Sequence, residues 1–595
     1  MLSFALMVAV FLITPEPVIL IEKSAGLETP TKKTGRTGYE LADVNADGHL
    51  DIVSVGDHGS PGSYQHGISV WFGDGLGNWS VVQEGWFGYG DCAMGDLNND
   101  GIMDIAWGIH HDYGSGGFGD KLIGAALGNG TGAGWVPWDQ GLAGAGETYG
   151  MFGTALADFN NNGLLDIVCQ SFGSGNGVRV YRNHGDGNWT HEWAITGWNA
   201  QYTIETGDFN ADGNMDFICT RWGDVTHTSI YLGNGDFDFT LEHSGLPQKV
   251  IWSVDVGDFN NNGADDILVA MDSDSGVRVY SYNNDTLQWD DYSNGLPSGS
   301  NYSMVQFGHI NGDDFLDVVA YGGTTGRVYL GDGLGNWTPD AAFTFSTPGH
   351  YSAMRVDGDF DHDGREDIVV QAAEGTTYNY TNQLRAYSPW LEPASLSTRL
   401  VTPRGGETFM AGSARFVNWL TAVPPAYGQA SIDLHFSATG PDGPWTPIAT
   451  GLPDNCRFQW IVPQVNSTAC RVRITATAGG ETSQFISPGD FSILQGVGVE
   501  ENPPAPPTPL SVAVFPNPCA FPPSVRVEGM ASGSGELQVY DLSGRMVLRF
   551  PVHSKGPHEF FLQREGGAPL PAGVYAAVLK TAAGTAGTMF VQLGN

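Results

Sequence analysis

The sequence is short of positive charge, of cysteine and of long apolar runs, and each shortage excludes something. Its 595 residues hold 26 Lys and Arg against 65 Asp and Glu, a formal charge of −39. Such a chain repels nucleic-acid phosphates and anionic membrane surfaces, which rules out nucleic-acid binding as a leading function and favours cations as partners. Charged residues are only 15% of the total, below the roughly 25% of ordinary globular chains. Six cysteines, with no C-x-x-C or Cys/His cluster, supply neither a disulfide scaffold nor a zinc site. Cys169 and Cys219 fall in apolar strands, and the sequence leaves open whether Cys456 and Cys470 pair. The longest apolar run lies at the start and is broken by Pro15 and Glu16. It is too short to cross a bilayer and fits a signal peptide over residues 1–16. No later segment is long and apolar enough for a transmembrane span. The motifs G-x-S-x-G and H-E-x-x-H and phosphate-binding glycine loops are missing as well.

Glycine is abundant, at 84 residues roughly twice the usual share. With Asp, Asn and aromatics it makes a composition of short strands and tight turns. These residues repeat. The element D-x-N/D-x-D/N-G-x-x-D, followed by an apolar strand, starts at Asp43, Asp96, Asp158, Asp208, Asp258, His309 and Asp359, at separations of 53, 62, 50, 50, 51 and 50 residues. About fifty residues is the size of one four-stranded propeller blade. The longer second interval predicts a loop insertion opened by His110, His111 and Asp112. Each repeat reads as strand, acidic loop, strand, third strand and an outer segment ending like HSGLP or SNGLP. The last repeat lacks that segment before Pro389, and VILIEKSAGLETP at 18–30 resembles it. The expected fold is all-β: a seven-bladed β-propeller over 17–390, closed by the N-terminal strand and followed by two small β-sandwich domains. Alternating strands over 396–494 predict an immunoglobulin-like sandwich, 495–509 a Pro-rich linker, and 510–595 a second sandwich of seven short strands.

Oxygen-bearing side chains at loop positions 1, 3, 5 and 9, with a carbonyl at position 7, form a cage for a hard cation. Positions 1 and 9 are Asp43 and Asp51, Asp96 and Asp104, Asp158 and Asp166, Asp208 and Asp216, Asp258 and Asp266, His309 and Asp317, and Asp359 and Asp367. Positions 3 and 5 are Asn45 and Asp47, Asn98 and Asp100, Asn160 and Asn162, Asn210 and Asp212, Asn260 and Asn262, Asn311 and Asp313, and Asp361 and Asp363. The position-7 carbonyls belong to His49, Ile102, Leu164, Asn214, Ala264 and Arg365. Carboxylates at the four side-chain positions number 3, 3, 2, 3, 2, 2 and 4 in chain order. The Asp359 loop should therefore bind a cation most tightly. The sixth should bind most weakly, because His309 is a poor hard-ion ligand and Asp314 replaces the glycine. The alternative for any loop is a turn closed by Asn/Asp hydrogen bonds without metal.

The repeated phrases, such as DVNADGHLDIV, DFNNNGLLDIV and DFDHDGREDIV, resemble the FG-GAP/VCBS repeats of integrin-α-like propellers and bacterial surface proteins, over about 17–390. That resemblance implies up to seven Ca2+, one per blade, each pinning the turn between a blade's first two strands. The 396–494 segment is similar to accessory Ig-like modules of bacterial exoproteins. F-P-N-P, V-Y-D-L-S-G-R and A-G-V-Y, from Phe515 to Tyr575, resemble the C-terminal sorting domain of the type IX secretion system, although Cys519 departs from the usual aromatic after P-N-P. This implies passage through that machinery to a secreted or outer-surface location.

Aromatic residues stand six to eight positions before the loops: Tyr89, Phe152, Tyr202, Trp252, Tyr302 and Tyr351, with Tyr39 a looser match. In equivalent blades they fall at one face, either as a stacking platform for a glycan or peptide or as packing between blades. Trp107, Phe172, Trp222 and Tyr321, just after the loops, read as core. Glu40, Glu205, Asp255 and Gln306, three positions before the loops, line a central channel. Paired carboxylates are what glycoside hydrolysis needs, but a solvated acidic channel is the simpler account. The expected function is binding of an extracellular glycan or protein, with no catalytic residue assigned. The alternatives are a calcium-dependent polysaccharide lyase or hydrolase, with His110, His111 and Asp112 as its polar cluster, and a non-catalytic surface scaffold.

Overall fold

The computed structural model describes residues 17–27, 38–56, 68–83, 90–109, 122–142, 153–171, 177–196, 199–222, 228–247, 249–271, 275–299, 302–345, 353–376 and 379–495. It also describes 511–515, 524–528, 535–542, 545–552, 558–561, 570–581 and 584–592. The expected signal peptide, the insertion opened by His110, His111 and Asp112, and nearly all of the Pro-rich linker lie outside the described residues. The chain divides into two compact units, Met1–Gln495 and Gly496–Asn595.

In the first unit, seven antiparallel four-stranded sheets follow the seven repeats. The first blade is Glu40–Ala42, Asp51–Val55, Ile68–Gly73 and Trp79–Gln83, from inside outward. The next five repeat this order, from Gly90–Gly95 at the start of the second to Trp337–Thr344 at the end of the sixth. Second strands such as DIVSV and DIVCQ are buried throughout, because neighbouring blades cover both of their faces. Seven apolar clusters sit at the seven blade junctions. One joins Ile52 and Val369 where the first blade meets the last.

The seventh blade takes its inner three strands from Ala353–Val356, Ile368–Thr376 and Asn379–Ser388 and its outer strand from Ile21–Glu22. Val18 is buried beside Phe343 and Tyr387. The N-terminal segment thus closes the ring and covers the edge that Asn379–Ser388 would otherwise expose.

Residues 397–494 form two further sheets. Ser397–Thr402, Ala414–Ala422 and Arg457–Ile461 make one; the other is built around Ser431–Ser437 and Ser467–Ala478. Trp419, Ile432, Trp460, Val472 and Phe491 fill the space between them. Cys456 and Cys470 are both free thiols, and Cys169 and Cys219 are buried strand residues. The second unit has seven described strands in sheets of three and four, with Leu537, Val539, Ala577 and Leu579 buried. All described regular structure is extended, and among the described residues no helix is long and apolar enough to cross a membrane.

Deleting residues 17–27 should lower the melting temperature by roughly 5 °C or more and produce higher oligomers through the bared strand edge. Thermal melts and size-exclusion chromatography of the truncated chain check this; an unchanged monomer with an unchanged melt would contradict it.

Candidate functional site

Each acidic loop is built by its own carboxylates. The position-1 carboxylate accepts the backbone N–H of positions 5 and 6 at 2.7–3.1 Å in six loops, as when Asp43 accepts from Asp47 and Gly48. Glycine at position 6 takes a positive φ in those six, and so does position 4, where Ala46, Asn99, Asn161, Ala211, Asn261 and His362 stand. A left-handed Ala or His is costly by about 1 kcal/mol or more, so the loop shape is imposed on these residues. In the sixth loop the positive φ lies at Gly312 alone.

The position-9 carboxylates serve mainly as clasps. Asp51, Asp104, Asp166, Asp216, Asp266, Asp317 and Asp367 are fully buried. Asp51 accepts the N–H of Val44 and of Gly73, both at 3.0 Å, tying the loop to the third strand; Asp104, Asp166, Asp216 and Asp317 do the same. Burial pushes Asp51 up to about 8 and Asp104 to about 7. Asp266 and Asp367 accept one N–H each and keep one oxygen without a partner.

Positions 3 and 5 separate the seventh loop from the others. In the first, second, fourth and sixth loops the position-3 amide donates to the position-5 carboxylate at 2.8–3.0 Å, for example Asn45 to Asp47. The seventh loop has Asp361 at position 3, with no amide to donate. Oxygens of Asp359, Asp361 and Asp363 converge to within 4.8 Å, all three buried, and no other described group of three does so. Neither Asp361 oxygen accepts a hydrogen bond of ordinary geometry; the Lys23 ammonium lies 3.4 Å from one of them. Burial and mutual repulsion push Asp363 up to about 7 and hold Asp359 well above the usual carboxylate range. Buried, convergent carboxylates, with the Asp361 oxygens orphaned and those of Asp359 and Asp363 taking only backbone N–H groups, fit a hard divalent cation.

The sandwich lies on this loop face and touches every loop. Gln429 donates to the Asp47 carbonyl at 2.9 Å. Gln459 brackets Asp96, accepting its N–H at 3.0 Å and donating to its carbonyl at 2.8 Å. The Ala414 N–H reaches Asp158 at 2.8 Å and Arg415 reaches the Gly213 carbonyl at 2.6 Å. Gly406 abuts Gly263 so closely that a Cβ on Gly263 would overlap it. At the sixth loop Arg399 donates to the Asp313 carbonyl and Arg404 pairs with Asp314 at 2.9 Å. At the seventh, Val423 donates to the His362 carbonyl at 2.8 Å, and the Asp359 N–H meets the Cys456 sulfur at 3.4 Å.

Strand register sets the channel. Glu40, Glu205, Asp255 and Gln306 pair with equivalent positions of their second strands, namely Val53, Ile218, Leu268 and Val319. Arg355, opposite Val369, is the seventh blade's equivalent. The spacing rule misses it because that blade carries one extra residue before its loop. Asp91, two residues from Ala93 on the same face of the second blade, was missed too. Several of these groups clasp the next blade: Thr154 donates to Asp91 at 3.0 Å, Phe307 to Asp255 at 2.6 Å and Val356 to Gln306 at 3.1 Å. Arg355 pairs with Asp357 at 3.0 Å and Glu40 at 3.5 Å. Burial first, then neighbouring carboxylates, holds Glu205 well above the usual range, with Asp91 at about 7 and Asp255 at about 6.

Of the aromatic positions, Tyr39 is buried, with its hydroxyl on Gln371, and Tyr302 is half-buried at a blade junction with its hydroxyl 3.4 Å from that of Tyr329. These two take the packing role. Trp252 is 36% exposed. Tyr89, Phe152, Tyr351 and Phe172 lie outside the described residues, as do the side chains of Tyr202 and Trp222; Trp107 and Tyr321 are core.

Fold and loops define a seven-bladed propeller of acidic-loop repeats, and sequence comparison specifies them. Residues 43–107, 158–219, 208–269, 258–320 and 309–370 match the FG-GAP-like repeat, so these stretches of the ring, which hold all seven acidic loops, are FG-GAP-like repeats. Two solved structures are similar to parts of the chain. One is an Agrocybe aegerita lectin described for specific recognition of non-reducing terminal N-acetylglucosamine, at 22% identity and TM-score 0.38, covering 53% of this chain and 81% of that one. The other is PorZ, a bacterial surface component of the type IX secretion system of Porphyromonas gingivalis, at 11% identity and TM-score 0.36, covering 95% of this chain and 60% of that one. No curated protein matches the sequence.

Two outcomes are expected. Gln459→Ala leaves the buried Asp96 N–H unpaired and should cost about 1–2 kcal/mol, with faster amide exchange over Asp96–Gly101. Glu205→Gln should melt like the parent near pH 4, because a raised folded-state pKa leaves its stability intact below the unfolded value. Above that pH the parent loses this contribution as Glu205 ionises, and the variant should become the more stable by about 2 °C at pH 8. Melts in excess calcium read the difference.

Proposed function

We propose that this is an exported bacterial surface or secreted binding protein, with a calcium-stabilised propeller that presents the face opposite its acidic loops to a glycan or protein ligand. The observation that carries this reading is the sandwich seated on all seven loops. It gives that face a structural task and leaves the opposite face, where Trp252 is exposed, for recognition. The N-terminal apolar run and the likeness of the last segment to type IX sorting domains support export through that machinery.

Calcium is held in this reading by side chains at positions 1, 3 and 5 and the position-7 carbonyl, with position 9 reinforcing the turn. Asp359, Asp361 and Asp363 form the tightest site. The sixth loop is the exception: it lacks a position-1 carboxylate, and the cations beside it are Arg399 and Arg404, so six ions are expected.

A glycan array and surface proteins of neighbouring cells, probed with the full chain in calcium and again in chelator, test the function; no calcium-dependent ligand in either would overturn it. For the ion, each site adds about 2.7 kcal/mol at a hundredfold excess over Kd, so chelator should lower the melting temperature sharply. Asp361→Asn should weaken the tightest site in a calorimetric titration by roughly tenfold, through loss of one ligand charge. An unchanged titration would remove the seventh loop from the assignment.

A further inference from the structure

Behind the loops, the channel contains a second polar site that the calcium reading does not use. Two adjoining cavities of about 390 and 300 Å³ share Glu205, Gln306, Arg355, Asp357, Phe416 and Asn418 in their walls, the last two contributed by the sandwich. We propose that this channel binds a slender organic cation, an alkylammonium or guanidinium group rich in N–H donors.

Three observations lead there. The first is the state of the hydrogen-bonding atoms. Thr154 lines the narrower cavity at 4% exposure, and its hydroxyl is buried without a partner. The Thr203 hydroxyl and the Asn418 amide oxygen in the same wall are also unpartnered. Glu205 lies between both cavities and receives no hydrogen bond from any described residue. Unmet acceptors of this kind call for a donor, while the unpartnered Nε atoms of Arg355 and Arg457 in the same wall leave room for an acceptor on the same ligand or for water. The second is charge. The eleven carboxylates of the two walls, Glu40, Asp91, Glu205, Asp255 and Asp357 among them, outnumber the four arginines there, Arg355, Arg404, Arg415 and Arg457, which favours a cation over an anion. The third is spacing. No three of these carboxylates bring oxygens within 4.8 Å of one another, as Asp359, Asp361 and Asp363 do. A point-like metal ion would therefore find too few ligands, whereas an elongated cation with separated N–H groups can reach several. Asp91 and Asp255 are already engaged by backbone N–H groups, and Arg355 is paired with Glu40 and Asp357. Glu205, faced by Arg355 but hydrogen-bonded by no described residue, is the acceptor left for the ligand's N–H groups, and a bound cation would favour its ionised form.

The test is calorimetry of the full chain at saturating calcium and about 0.15 M salt, where attraction to distant surface charge is screened. Putrescine and agmatine probe the free small molecule, and the peptide Gly-Arg-Gly probes the same chemistry on a chain. Saturable one-to-one binding of at least one probe is expected. Glu205→Gln should weaken it tenfold or more and Thr154→Val about threefold, while Asp285→Asn on an exposed turn leaves it unchanged. Preference for the peptide would identify the source as a protein side chain, and preference for agmatine or putrescine a metabolite. Glu205→Gln keeps its shape and should melt no lower than the parent, which separates lost binding from lost folding. The inference is overturned by no saturable heat from any probe, by equal binding to the Glu205→Gln chain, or by equal binding of uncharged 1,4-butanediol, which would mean that solvent suffices to fill the channel.

Discussion

Placing seven acidic turns on one face of a ring crowds carboxylates together where water is excluded, and the rest of the first unit is arranged around that charge. A buried carboxylate is tolerable only when hydrogen-bonded, paired or coordinated. The first two answers occur here, and the third is the one proposed for calcium. Positions 1 and 9 turn their oxygens onto backbone N–H groups. The sandwich brings Arg399, Arg404 and Arg415 against the loops, in a chain with only 26 cationic residues in all. The seventh loop, with three converging carboxylates and one lysine, lacks enough of either, and the proposed calcium ion completes the set.

This division explains why the sandwich belongs to the same compact unit as the ring. Its contacts are made largely to loop backbone, at Asp47, Asp96, Gly213, Asp313 and His362, so they depend on each turn holding its shape. The carboxylates that shape the turns therefore also hold the docking surface in place. With that face covered, and Phe416 and Asn418 in the channel wall, the opposite face and the channel are the parts of the ring left for the proposed recognition.

The blades and their closure were legible because each repeat carries its own loop signature and the missing outer strand could be counted. The core roles of Cys169, Cys219, Trp107 and Tyr321 followed from their places in apolar strands. The left-handed position 4 left a faint signal, Asn at three loops and Gly at the sixth, that the glycine at position 6 overshadowed. Arg355 was hidden by one extra residue, which shifts spacing without shifting strand register. The docking of the sandwich was not legible at all. Gln459 meets Asp96 across more than three hundred residues, and Gln459 and Arg415 occur once each rather than in a repeated pattern. Local periodicity can announce a blade but not which distant surface will cover it.

The same reasoning accounts for where the densest charge falls. The strand that closes the ring is short, Ile21–Glu22, and the segment around it adds further ties: the Lys23 N–H donates to the Ala386 carbonyl and the Trp79 N–H to the Ala25 carbonyl, both at 2.8 Å. Lys23, just past that strand, reaches Asp361 and stacks over Trp390 at 4.5 Å. His362 of the seventh loop lies 3.4 Å from His49 of the first and 3.4 Å from Asp454 of the sandwich. N-terminal strand, first loop, seventh loop and sandwich thus meet at one cluster, whose centre is the only carboxylate trio among the described residues. A cation there would act on more than one turn. It would relieve the repulsion that Lys23 alone leaves uncompensated, at the seam where the N-terminal strand closes the ring.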